Sequence, residues 1–298
     1  MARIILIETS TSLCSTALAE DGNVVAFRES TEPRAHASMT APFVQDILSE
    51  RGLRVNDCDA VCVSKGPGSY TGLRVGSSTA KGLCFGAGIP LLAVSSLEVL
   101  VWQAIGKGLV PEGCKAIVPM IDARRMEVYS AVFSPEGRQL TETAPLVVEE
   151  GSFAGLLAEG PVLLIGDGAG KCRPVIGGEN APASDEAAAA GVPVAGAVAQ
   201  GDNAPSRLAG PGAAAAGVPV AGAVAQGGNA PGRLAGPGAP AATVRSHGAT
   251  FVQTCPRAAS MALPAQAAFD AGRFENTAYF EPFYLKDFVA TVSRKKLF

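Results

Sequence analysis

Residues 66–76 read GPGSYTGLRVG and come soon after the apolar run Ala60–Val63. The apolar run predicts a strand, the glycines a tight turn, and the residues from about Thr71 to Phe85 a helix. Glycines at the mouth of a helix often cradle phosphate, yet the spacing fits neither phosphate fingerprint. A P-loop needs GxxxxGK[ST], and five residues after Gly66 and Gly68 stand Thr71 and Leu73. A dinucleotide GxGxxG needs a third glycine where Thr71 stands. A second cluster, Gly166–Cys172 (GDGAGKC), is one residue short of a P-loop and ends in cysteine.

The helix after the first cluster carries small residues at period four. Gly72, Gly76 and Ala80 form one stripe, and Ser78, Gly82 and Gly86 another. Glycine inside a helix costs about 1 kcal/mol against alanine, so close packing must compensate. The pattern leaves open whether the close neighbour is an internal helix or one from another subunit.

Outward from this stretch the chain reads as two α/β units. Ile4–Ile7 predicts a strand buried on both faces, Cys14–Ala19 a second, Asp21-Gly22 a turn and Val24–Phe27 a third. His36–Glu50 has helical spacing through Met39, Phe43 and Ile47, with Pro42 early in it. Leu91–Val94 predicts a strand, and Ser95 to Glu98 has capping-box spacing ahead of a helix over Leu97–Ala104. From Lys115 the plan starts again: AIVPMIDARRMEVYSAVF is a strand–turn–strand and PVLLIGDGAG a strand entering a glycine turn. Residues 187–212 and 213–238 are a near-identical Ala/Gly/Pro-rich repeat, which predicts a disordered insertion over 178–247. Without it about 230 residues remain, a size common for two small lobes. These are drawn as 1–105 and as 106–177 with 248–298, where PRAASMALPAQAAFDAGRF is helical in pattern.

Composition narrows the function. With 298 residues, 48% of them hydrophobic, a sizeable core is available, and a formal charge of −3 argues against a broad polyanion-binding surface. No run of 18 apolar residues occurs and MARIILIETS lacks a signal-peptide layout, which makes a soluble cytoplasmic protein the expectation, without a membrane. Seven scattered cysteines without a CxxC pair read as reduced, mostly buried thiols. With only His36 and His247, neither a histidine-rich metal site nor a Ser-His-Asp arrangement presents itself. Glu8-Thr9-Ser10-Thr11 is a hydroxyl-rich turn that could grip phosphate, although a plain polar turn accounts for its spacing, and Arg124-Arg125 is another exposed turn.

The segments ILIETSTSLCSTAL, HASMTAPFVQDIL, VSKGPGSYTGLRVGSSTAKGL, IDARRMEVYSAVF and LLIGDGAGK together resemble the TsaB (YeaZ) family, the companion subunit in bacterial threonylcarbamoyladenosine synthesis on tRNA. The resemblance covers about residues 1–176 and, more loosely, 249–290. It implies an α/β, two-lobed actin-like ATPase (ASKHA) fold with an RNase-H-like sheet in each lobe. It also implies a partnership with the transferase TsaD and the ATPase TsaE, a homodimer when alone, and tRNA met only through the complex. TsaD holds its metal through HxxxH; here His36 is followed by Thr40, so the resemblance implies no catalytic residue and no metal site. Glu8 stands where the family usually has aspartate, which makes Glu8, Thr9, Ser10, Asp122, Gly166, Asp167 and Gly168 degenerate phosphate hairpins. No cofactor of its own is expected, and a nucleotide within the complex stays open.

In the family two helices from each subunit form the dimer interface, here His36–Glu50 and Thr71–Phe85. The implied contact set is His36, Met39, Phe43, Ile47, Tyr70, Gly72, Leu73, Gly76, Ala80 and Leu83, with the glycine stripe facing the partner. On that expectation Gly76→Leu blocks the partner and leaves the monomer folded. The alternative is a stand-alone small-molecule kinase or ATPase, or a metallopeptidase of the same superfamily.

Overall fold

A computed structural model describes residues 1–177 and 248–284. The insertion 178–247, with its repeat, and the end of the closing segment lie outside the described residues.

Two five-stranded mixed sheets carry the fold, and they share one plan. In the first, Arg3–Glu8 (β1), Cys14–Glu20 (β2) and Asn23–Ser30 (β3) form an antiparallel meander. Helix α1 (Ala35–Glu50) then crosses to Ala60–Ser64 (β4), parallel to β1, and α2 (Tyr70–Ala87) to Leu91–Val94 (β5), parallel to β4. The order is β3-β2-β1-β4-β5. The second sheet repeats it with Ala116–Asp122 (β6), Glu127–Ser130 (β7), Ala144–Val147 (β8), Val162–Gly166 (β9) and Ala249–Gln253 (β10), in the order β8-β7-β6-β9-β10. Its crossovers begin with the short helices α4 (Ala154–Glu159) and α5 (Ala169–Ile176).

The central strand explains why Ile4–Ile7 lacks a polar residue. Ile5 and Ile7 face Val44, Ile47 and Ala80 of α1 and α2, while Ile4 and Leu6 face Ala262, Ala265 and Ala268 of α6 (Ala262–Asp270). Helix α3 (Ser96–Gly106) goes the other way: Leu97, Leu100, Val101 and Ala104 pack on Ile117, Ile121 and Leu163 of the second sheet. Each repeat thus sends its last helix onto the other repeat's sheet, an exchange that boundaries drawn along the chain do not express.

The capping box expected at α3 is half made. Ser95 Oγ accepts from Leu97 N, but Glu98 does not return to the Ser95 N–H. Four of these elements went unread in the sequence, the short helix α5 among them. Strand β8 is an edge strand with mostly exposed residues, α4 buries none of its residues, and β10 lies beyond the insertion with only Val252 buried. Edge elements of this kind lack the apolar alternation on which a sequence reading depends.

All seven cysteines are free, and six are buried. Burial raises the Cys58 and Cys84 thiols to about 11, which fits inert core residues. Among the described residues no helix is long and apolar enough to cross a membrane.

Candidate functional site

The two glycine turns do the same job in both repeats: each presses a strand-to-helix turn onto the hairpin of its own sheet. In the first repeat Gly66 takes a positive φ of 96° and leads into Gly68, Gly72 and Gly76. A Cβ on Gly68 would stand 2.7 Å from Ser10 Cβ, one on Gly72 would overlap the Thr9 carbonyl oxygen, and one on Gly76 would overlap Thr9 Oγ1. The contact is sealed by hydrogen bonds. Ser69 N donates to Ser10 O at 2.6 Å and Thr9 Oγ1 to Gly72 O at 2.8 Å. In the second repeat Gly166 (φ 140°) would overlap Met120 O with a Cβ, and a Cβ on Gly168 would stand 2.9 Å from Val128 Cγ1. Gly168 N donates to Met120 O at 3.0 Å.

The close approach is therefore intramolecular, and its partner is a hairpin rather than a helix. This corrects the expectation that the stripe of Gly72, Gly76 and Ala80 faces a partner. Gly72, Leu73, Gly76 and Ala80 are buried inside the chain. Phe43 and Ile47 are buried as well, because α1 turns its single apolar face toward Cys14 and the first sheet. His36, Met39 and Leu83 are half-buried, and Tyr70 is 38% exposed. Leucine at position 76 would strike Thr9, so it would disturb the monomer itself.

The other small-residue stripe faces outward. Ser78, Gly82 and Gly86 are exposed, and open space surrounds the two glycines. With Tyr70, Arg74 and Phe85 they form one side of α2, where Phe85 is 89% exposed. Arg74 Nη1 donates to the Tyr70 hydroxyl at 2.8 Å, and the Tyr70 ring meets that of Tyr284 at 4.8 Å. Between α1 and α2 this side opens as a groove of about 510 Å³ lined by Ala37, Tyr70, Thr71, Arg74, Val75, Ser78 and Thr79.

Both degenerate phosphate hairpins are filled by the chain's own groups. Glu8 is wholly buried. Its Oε1 accepts from Ser10 N at 2.6 Å and from Ser64 Oγ at 3.0 Å, while Oε2 has no partner. Burial pushes its carboxyl up to about 7, against which the bonds from Ser10, Ser64 and Thr9 pull only partway back. Thr9 and Ser10 are buried beside it. In the second hairpin Lys171 Nζ forms an ion pair with Asp122 and donates to Glu127 O at 2.7 Å. Asp167 Oδ1 accepts from Asp122 N at 2.9 Å, and burial raises its carboxyl to about 6. The lysine of GDGAGKC thus answers a carboxylate of its own repeat. Among the described residues no hydrogen bond links the Glu8 group to the Asp122 group. Thr40, where HxxxH would have its second histidine, spends its hydroxyl on His36 O at 2.6 Å.

A duplicated sheet of order 3-2-1-4-5, with the end of each repeat's first strand facing a glycine turn, defines a two-lobed α/β protein of the actin-like class. The family model described as TsaD, tRNA N6-adenosine threonylcarbamoyltransferase, matches residues 30–157. The chain is 41% identical over 131 residues to the tRNA threonylcarbamoyladenosine biosynthesis protein TsaB of Escherichia coli, which is 44% of this chain and 54% of that one. It is 34% identical over 142 residues to the protein of the same name from Bacillus subtilis, 48% of this chain and 59% of that one. The aligned part therefore spans only somewhat over half the length of these relatives. The solved YeaZ of Pseudomonas aeruginosa superposes over 96% of this chain and 100% of its own with a TM-score of 0.62 at 22% identity. A second Pseudomonas aeruginosa structure, described as similar to peptidase YeaZ, gives 0.64 over 96% and 100% of the two chains at 23%. Over the aligned part the chain is similar to proteins named TsaB, and its fold is that of the YeaZ structures.

Proposed function

We propose that this chain serves tRNA threonylcarbamoyladenosine synthesis as a non-catalytic companion that binds and activates the transferase TsaD, with the ATPase TsaE joining the same assembly. The observation that carries this reading is the 34–41% identity to proteins named for that pathway. The buried hairpins support the non-catalytic part. Glu8 would have to leave a fully enclosed position to meet a metal or a phosphate, and Lys171 is held by Asp122. These same contacts weigh against the kinase or ATPase alternative.

The partner-facing surface in this reading is the outward side of α2 with its groove toward α1: Tyr70, Arg74, Ser78, Gly82 and Phe85, flanked by His36 and Met39. An exposed phenylalanine beside arginine and tyrosine suits a protein interface, where aromatic residues and arginine carry most of the binding energy. The same side would pair two copies of the chain when TsaD is absent, so homodimer and heterodimer compete by mass action. The double substitution Arg74→Glu with Phe85→Glu is expected to abolish co-elution with TsaD while the melting temperature stays put, since both side chains are on the surface. Co-elution equal to wild type would place the interface elsewhere.

A further inference from the structure

A second concavity lies on the opposite face of the first sheet, near the C-terminal ends of β4 and β5. It is a pocket of about 150 Å³, lined by Lys65, Glu98, Arg273 and Glu275 with Pro264 and Ala268 of α6. Its frame is fixed by backbone bonds from three directions. Lys65 N donates to Val94 O at 2.9 Å, Glu275 N to Leu91 O at 2.8 Å and Arg273 N to Ala268 O at 2.9 Å. Two cationic and two acidic residues thus line one small volume. Among the described residues, none of the four forms an ion pair with another within 4.0 Å. Glu98, which leaves the capping box of α3 unfinished, is one of the lining residues. Burial raises its carboxyl, and a hydrogen bond with the Trp102 side chain and the nearby charges of Lys65 and Arg273 lower it only in part.

We infer that this pocket binds a small zwitterion, a free α-amino acid with a short polar side chain, its carboxylate between Lys65 and Arg273 and its ammonium between Glu98 and Glu275. A simple anion would also meet two carboxylates, and a simple cation two positive groups; only a ligand with both signs satisfies all four. The volume of about 150 Å³ admits glycine or serine. The pocket is separate from the outward side of α2, so the inference stands or falls independently of the proposed tRNA role.

Ligand-observed NMR titration of the full chain tests it, with L-serine, acetate and methylammonium as probes. L-serine is expected to bind saturably with a Kd of about 1 mM, and acetate and methylammonium about tenfold or more weaker. Arg273→Ala and Glu98→Gln should each weaken serine binding about tenfold, with unchanged melting temperature. No saturable serine binding up to roughly 50 mM would overturn the inference, as would serine affinity unchanged in both variants, or acetate binding as well as serine.

Discussion

Gly72→Ala is expected to destabilise the folded chain by about 3 kcal/mol, the upper part of the range for forcing extra atoms into a packed site. The added methyl would overlap the Thr9 carbonyl oxygen, a backbone atom of a buried hairpin that cannot rotate away. At this chain length the loss corresponds to a fall of about 5 °C in melting temperature. The same substitution one stripe over should have the opposite sign. Gly82 and Gly86 lie in the same helix with open space around them, so alanine at either is expected to stabilise by up to about 1 kcal/mol. Urea denaturation of the three variants reads both signs. Equal effects from Gly72→Ala and Gly82→Ala would mean that the inward stripe is not held against the hairpin.

The contrast shows how much of this chain its sequence carries. Ile4–Ile7 announced a strand buried on both faces, and the two hairpin-plus-glycine-turn units announced a duplication; sheet order and register agree. The period-four stripes required a close neighbour, but spacing does not say which side of a helix is inside. Both stripes satisfy the same pattern; one meets Thr9 and the other meets nothing. The apolar residues of α1 carried the same ambiguity, and Phe43 and Ile47 belong to the core. What resolves such cases is tertiary contact, and the contacting residues here are 63 positions apart in the chain, Thr9 with Gly72. Lys171 was legible as part of a near P-loop, while its bond to Asp122 depends on the register of β6 with β9.

The second large effect concerns pH. The Glu8 carboxyl titrates at about 7 in the folded chain against 4.5 in an exposed one, so between those values the folded state holds a proton that the unfolded state has released. Stability therefore falls as pH rises through this window and levels off above about 7, by about 3 kcal/mol for this group. Asp167 adds a contribution of the same sign between 3.8 and about 6. Glu8→Gln keeps an acceptor for Ser10 N and Ser64 Oγ and removes the titration. Unfolding free energies measured from pH 5 to pH 8 should fall less steeply in Glu8→Gln than in the native chain. Parallel profiles would mean that Glu8 is ionised in the fold and that its hairpin is open to solvent.

A closed Glu8 hairpin and a Lys171 already paired with Asp122 leave this chain, in the proposed reading, to act through its surface. The most direct measurement is threonylcarbamoyladenosine formed on tRNA by purified TsaD and TsaE supplied with ATP and threonylcarbamoyladenylate, with and without this chain. Product that appears only when the chain is present, and that is lost with Arg74→Glu and Phe85→Glu but not with Glu8→Gln, is the expected result. Equal product in its absence would contradict the proposed role.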